Sequence, residues 1–112
     1  MTRRYCLTLD LKDDAALIAE YRRYHEKVWP EITKSLHDSG IEDMEIYLVG
    51  NRLFMIIEVN EQFSFEKKAA ADNSNAKVQE WEKLMWEFQQ PLPQAKQGEK
   101  WMLMEKVFKL ES

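Results

Sequence analysis

The 112-residue chain is poor in the residues that interrupt or cross-link a fold: three Gly, three Pro and one Cys. So little Gly and Pro excludes collagen-like repeats and low-complexity linkers. The lone Cys6 excludes an internal disulfide and a cysteine-built zinc site. No apolar run approaches 18 residues and no signal-peptide pattern is present. The expectation is therefore a soluble, cytoplasmic protein with no membrane partner. Positive charge is not in excess either. With 16 Lys+Arg against 20 Asp+Glu the net charge is −4, and no electrostatic footprint for nucleic acid results.

What the chain does have is 45% hydrophobic, 12% aromatic and 32% charged residues, the balance of one globular domain with one core over 1–112. Tyr5, Leu7, Leu9 and Leu11 alternate with smaller or polar residues, which is strand periodicity. Asp13 and Asp14 then open a helical stretch, their carboxylates suited to a first turn. Leu17, Tyr21, Tyr24, His25 and Val28 form its apolar stripe. Pro30 breaks the helix near 26–30 and starts a second one that ends before Gly40.

A hairpin follows, with strands over 44–49 and 53–59 flanking Gly50 and Asn51. Two helical pieces come next. The first, 64–71, is rich in Lys and Ala and expected to be mostly exposed. The second, 75–89, buries Val78, Trp81, Leu84, Met85 and Phe88. Pro91 and Pro93 end it, a polar loop covers 94–99, and a last strand is expected over 100–110.

The order β-α-β-β-α-β is the ferredoxin-like split βαβ arrangement, an α+β fold with a four-stranded antiparallel sheet and its helices on one face. The other face is unusual. Strand 53–59 carries Phe54 and Ile56 opposite Leu53, Met55 and Ile57, and the last strand carries Met102, Met104 and Phe108. A water-facing sheet surface is not normally so apolar, and a second copy is the simplest cover. A symmetric homodimer is expected, closing a dimeric α/β barrel.

Candidate chemistry is sparse. His37, among Lys34, Ser35 and Asp38, reads as a solvated residue near a helix end. His25 lies one helical turn from Tyr21, so their side chains are neighbours, and Tyr24 and Trp29 are close by. Packing explains a histidine among aromatics more often than catalysis does, yet imidazole is the side chain that both gives and takes a proton near neutral pH. No Gly-rich phosphate loop and no serine elbow occurs, and no ligand spacing suggests a metal. The carboxylates of Glu31, Glu45, Glu58 and Glu82 read individually as solvated, although Glu58 interrupts an apolar strand.

The segment from Glu20 to Glu31, with Tyr21, Arg23, His25, Trp29, Pro30 and Glu31, resembles the Y-x-R-x-H-x-x-x-W-P-E signature of the L-rhamnose mutarotases. The likeness continues through Gly40, Ile46-Tyr47-Leu48, Asn51 to Glu58, Gln79-x-Trp81 and Val107-Phe108, or about residues 4–110. The resemblance implies a homodimer of ferredoxin-like subunits that interconverts the anomers of a 6-deoxy hexose without a cofactor or metal. It implies His25 as proton donor, Tyr21 and Trp81 as sugar contacts, and Trp29 and Tyr47 beside them. At two site positions the chain departs from the pattern: Glu82 replaces a second tryptophan and Met44 a tyrosine. Both exchanges change pocket polarity and shape, and lean the substrate from L-rhamnose toward L-fucose.

Two other readings share parts of this pattern. A dimeric α/β-barrel monooxygenase or haem-handling protein would use His25 as a haem ligand or oxygenation residue. A sugar-binding sensor domain would use Tyr21, His25 and Trp81 for recognition alone.

Overall fold

A computed structural model describes residues 3–111. The elements are β1 (Arg3–Leu11), α1 (Ala15–Tyr24), α2 (Pro30–Asp38), β2 (Ile41–Val49), β3 (Arg52–Val59), α3 (Phe65–Asn73), α4 (Ala76–Trp86), β4 (Gln89–Gln90) and β5 (Met102–Leu103). The sheet is antiparallel in the order β2-β3-β1-β4, with β5 also pairing β1. Four sheet positions are thus filled by five strands, since β4 and β5 share the edge beside β1.

Local chemistry sets the element ends. Asp14 caps α1 by accepting from the Leu17 amide at 3.0 Å, so it works as a cap, not as a first-turn charge. Pro30 is the first residue of α2, where a missing N–H costs nothing. Ser64 and Asn75 cap α3 and α4. After α2 the chain turns at Gly40 with φ +101°, and a Cβ there would lie 2.6 Å from Asn60 Oδ1. In the hairpin only Gly50 takes positive φ (+58°), as a type II′ turn requires.

The helix-facing side of the sheet carries the core. One cluster joins Leu11, Tyr21, Ile32, Leu53, Trp81 and Phe88; a second joins Leu7, Ile41, Ile57, Val59 and Phe63. β2 begins three residues earlier than its alternation suggests. A bulge between Ile41 and Asp43 lets both Ile41 and Met44 face inward, a spacing that strict period two forbids.

The end of the chain differs from the expected strand 100–110. Pairing runs through Met102 and Leu103, and the amide of Met104 donates to Cys6 O at 2.7 Å. Beyond that residue no strand forms among the described residues, and Val107, Phe108 and Leu110 are 94%, 76% and 80% exposed. The β1 residues that would continue the pairing include exposed Arg3 and Arg4, which offer no apolar surface to offset the entropy of ordering. Helix α4 also stops early, at Trp86 rather than 89, because Gln89 and Gln90 leave it to pair with Leu11 and Asp10.

Candidate active site

The end of α1 builds one wall of a cavity. Tyr21 and His25 stand at i and i+4, with ring centroids 4.2 Å apart. His25 is the C-cap residue, and its Nδ1 lies 2.9 Å from the Tyr21 carbonyl oxygen. A carbonyl only accepts, so Nδ1 carries the proton and donates. In the neutral ring Nε2 is then the bare nitrogen. Burial lowers the His25 pKa below its ordinary 6.5, outweighing the opposing effect of the backbone hydrogen bond. The neutral ring therefore predominates at pH 7.

Burial acts on Tyr21 in the other direction. Its phenol is pushed up to about 12, with a hydrogen bond to the Gln89 side chain pulling slightly the other way. It is a neutral hydroxyl at physiological pH. Trp81 of α4 meets His25 edge-on at 5.6 Å, and Trp29 meets Trp81 at 5.0 Å from behind. Edge-to-face contacts of this kind hold the rings in defined orientations.

The cavity has a volume of about 380 Å³, within the range of small-molecule sites. Tyr21, His25, Met44, Trp81 and Glu82 all line it. Its floor is apolar, with Leu7, Ile46, Met55 and Ile57 from the sheet. An imidazole, a phenol and a carboxylate thus share a mostly apolar chamber, where a polar ring with one apolar face can be held and proton transfer needs little solvent reorganisation.

Two of the expected site residues lie elsewhere. Trp29 supports Trp81 without lining the cavity. Tyr47 is on the opposite face of the sheet beside Phe54 and is 53% exposed, because its neighbours Ile46 and Leu48 take the inward positions. Glu58 is also on that face, paired with Arg4 at 2.9 Å, and does not line the cavity. His37 is exposed on α2, as its charged neighbours suggest.

Other lining residues carried no signal in the sequence. Gln89 was expected in a helix, Lys68 on an exposed one, and Asp72 just past the end of that helix. Lysine and aspartate four apart on a helix are ordinarily a solvated pair, and only the packing of α3 against α4 turns these inward. Among the described residues no three His, Cys, Asp or Glu gather as metal ligands, and no helix is long and apolar enough to cross a membrane.

The fold is shared with solved structures. An L-rhamnose mutarotase from Formosa agariphila superposes with a TM-score of 0.71 at 22% identity, covering 97% of this chain and 99% of that one. A type-II polyketide cyclase from Streptomyces glaucescens superposes at 0.65 with 15% identity, covering 98% of each. At such identities the likeness is one of fold alone. The sequence goes further, since the L-rhamnose mutarotase family matches residues 4–110. The chain belongs to the L-rhamnose mutarotase family. A relative from Xanthomonas campestris pv. campestris, named an L-fucose mutarotase, is 46% identical over 110 residues, covering 96% of this chain and 88% of its own. A protein of Dictyostelium discoideum is 37% identical over 116 residues, covering 97% and 90%. Within this L-rhamnose mutarotase family frame, both departures read from the sequence, Met44 and Glu82, are cavity-wall positions.

Proposed function

We propose that the protein is a cofactor-independent mutarotase that interconverts the α and β anomers of a 6-deoxy hexose, with L-fucose preferred over L-rhamnose. Family membership and the 46% identical relative named for L-fucose support the class and the sugar. The observation that carries the mechanism is the tethered imidazole of His25 in the cavity wall.

Mutarotation requires a proton delivered to the ring oxygen and another removed from the anomeric hydroxyl. In the proposed cycle the imidazolium of His25, the minor form at pH 7, gives its Nε2 proton to the ring oxygen as the bond from that oxygen to the anomeric carbon breaks. The anomeric hydroxyl loses its proton to a water molecule, leaving the open-chain aldehyde. Rotation presents the other carbonyl face, and both transfers reverse on closure, so no proton or electron is gained overall. The depressed pKa of His25 makes its imidazolium the stronger acid, and leaves a ready acceptor once the proton is given. Tyr21 hydrogen-bonds the sugar, and Trp81 packs on the apolar face of the ring.

The working unit is proposed as a homodimer, supported by the apolar open face with Phe54, Ile56 and Met102 and by the exposed apolar residues after Met104. Anomer exchange measured by NMR saturation transfer across L-fucose, L-rhamnose and D-galactose tests the function. Acceleration of a 6-deoxy sugar is expected. Binding without acceleration would make the protein a sensor domain, and overturn the enzyme reading.

A further inference from the structure

The charged residues of α3 have no part in that proton transfer, yet they face the same cavity. Asp72 is only 9% exposed, and Lys68 Nζ donates to its Oδ2 at 2.5 Å from one turn earlier. Lys/Asp pairs at this spacing usually lie on a solvated face, where they are nearly neutral in energy. This pair lies against a cavity floored by apolar side chains. The two side chains are 26% and 12% exposed, so the pair is only partly withdrawn from water and keeps hydrogen-bonding capacity for a ligand. Among the described residues no protein donor reaches Asp72 Oδ1, and the Lys68 ammonium has two more N–H groups to give.

A second set of contacts places this pair relative to the rest of the site. The Gln79 side-chain amide donates to the Asp72 carbonyl at 2.9 Å and to Glu82 Oε2 at 3.3 Å. Asp72 and Glu82 therefore flank one seam between α3 and α4. Trp81, about 100° around α4 from Glu82, meets His25 instead. The cavity has an imidazole–aromatic wall and a charged wall.

We propose that Lys68 and Asp72 are the specificity-determining pair, reading adjacent hydroxyls on the side of the pyranose remote from its anomeric carbon. The proposal rests on the mutarotase reading above. With the anomeric carbon and ring oxygen at His25, carbons 3 and 4 lie across the ring. Asp72 Oδ1 accepts from one of their hydroxyls and Lys68 Nζ donates to the other. L-Fucose presents these two hydroxyls cis, L-rhamnose trans. Two charged groups one helical turn apart, already joined to each other, bind neighbouring hydroxyls that project to one side. An epimer that misses one of them leaves a charged group unpaired, which is how hydrogen-bonding sites discriminate strongly.

The test compares wild type, Asp72→Asn and Lys68→Met by saturation-transfer rates over a range of L-fucose, L-rhamnose and D-arabinose concentrations. D-Arabinose keeps the ring configuration of L-fucose without its methyl group. The expected result is a loss in kcat/KM for L-fucose and D-arabinose of about 10–100-fold, carried by KM, with a smaller loss for L-rhamnose. Folding is checked by circular dichroism, and Lys68→Met decides the outcome where Asp72→Asn does not fold. Folded variants that lose activity equally on all three sugars, or keep the wild-type KM for L-fucose, overturn the role of the pair. Wild-type protein that accelerates none of the sugars overturns the mutarotase reading itself, a different result from active wild type with indifferent variants.

Discussion

Tyr21 holds His25 twice: its ring lies 4.2 Å from the imidazole centroid, and its carbonyl oxygen accepts the Nδ1 proton at 2.9 Å. One turn of helix thereby sets the orientation and the tautomer of the residue proposed to move protons. Backbone geometry performs the second-partner role that a carboxylate plays beside many catalytic histidines.

Replacing that imidazole is the most direct check. His25→Ala is expected to lower kcat for anomer exchange by about 10²–10⁴-fold, the usual worth of a positioned acid–base group, with KM changed far less. Saturation transfer between the anomeric proton signals measures both. A variant exchanging at the parent rate would remove His25 from the mechanism.

The depressed pKa of His25 also has a consequence for stability. Well above pH 6.5 folded and unfolded chains both carry the neutral ring, and this group adds no pH dependence. As pH falls through about 6.5 the unfolded chain takes up the proton first, so the folded state loses stability until its own lower pKa is passed. The urea midpoint should drop more between pH 7.5 and 5 in the parent than in His25→Gln. Equal slopes would contradict the burial of this ring.

Tyr21→Phe removes a phenol oxygen whose partner is Gln89. A buried amide left without that partner costs about 1–3 kcal/mol, visible as a lower urea midpoint at unchanged m-value. The same variant should lose the alkaline destabilisation of the parent. There the raised phenol pKa means that stability falls as pH rises from the ordinary tyrosine value of 10 to about 12.

The homodimer proposal is tested at the chain end. Deleting residues 104–112, or replacing Phe108 by Asp, removes apolar surface that has no cover within one chain. Light scattering after size exclusion is expected to give two chains for the parent and one for these variants. A monomeric parent would refute the proposal.

Much of this architecture was legible because side-chain periodicity reports directly on burial. The alternation of Leu7, Leu9 and Leu11 marked β1, Pro30 marked the break before α2, and Asn75 stood at the cap of α4. Periodicity failed where a long-range contact altered the local rule. The bulge at Ile41–Asp43 depends on pairing with β3, so β2 looked shorter than it is. Gln89 left its helix because β1 offered it an edge. Tyr47 sat in the right signature segment but on the outward side of its strand.

The sequence alone determined the order of elements through α4 and the adjacency of Tyr21 and His25, since both follow from spacing along one chain, and its signature segment carried the likeness to the family. It could not decide which charged residues share a chamber with that histidine. Lys68 and Asp72 are far from it in sequence, and they reach the cavity only because α3 packs on α4 above the sheet. Whether a polar side chain is solvated or enclosed is a property of what covers it, and that cover comes from elements distant along the chain.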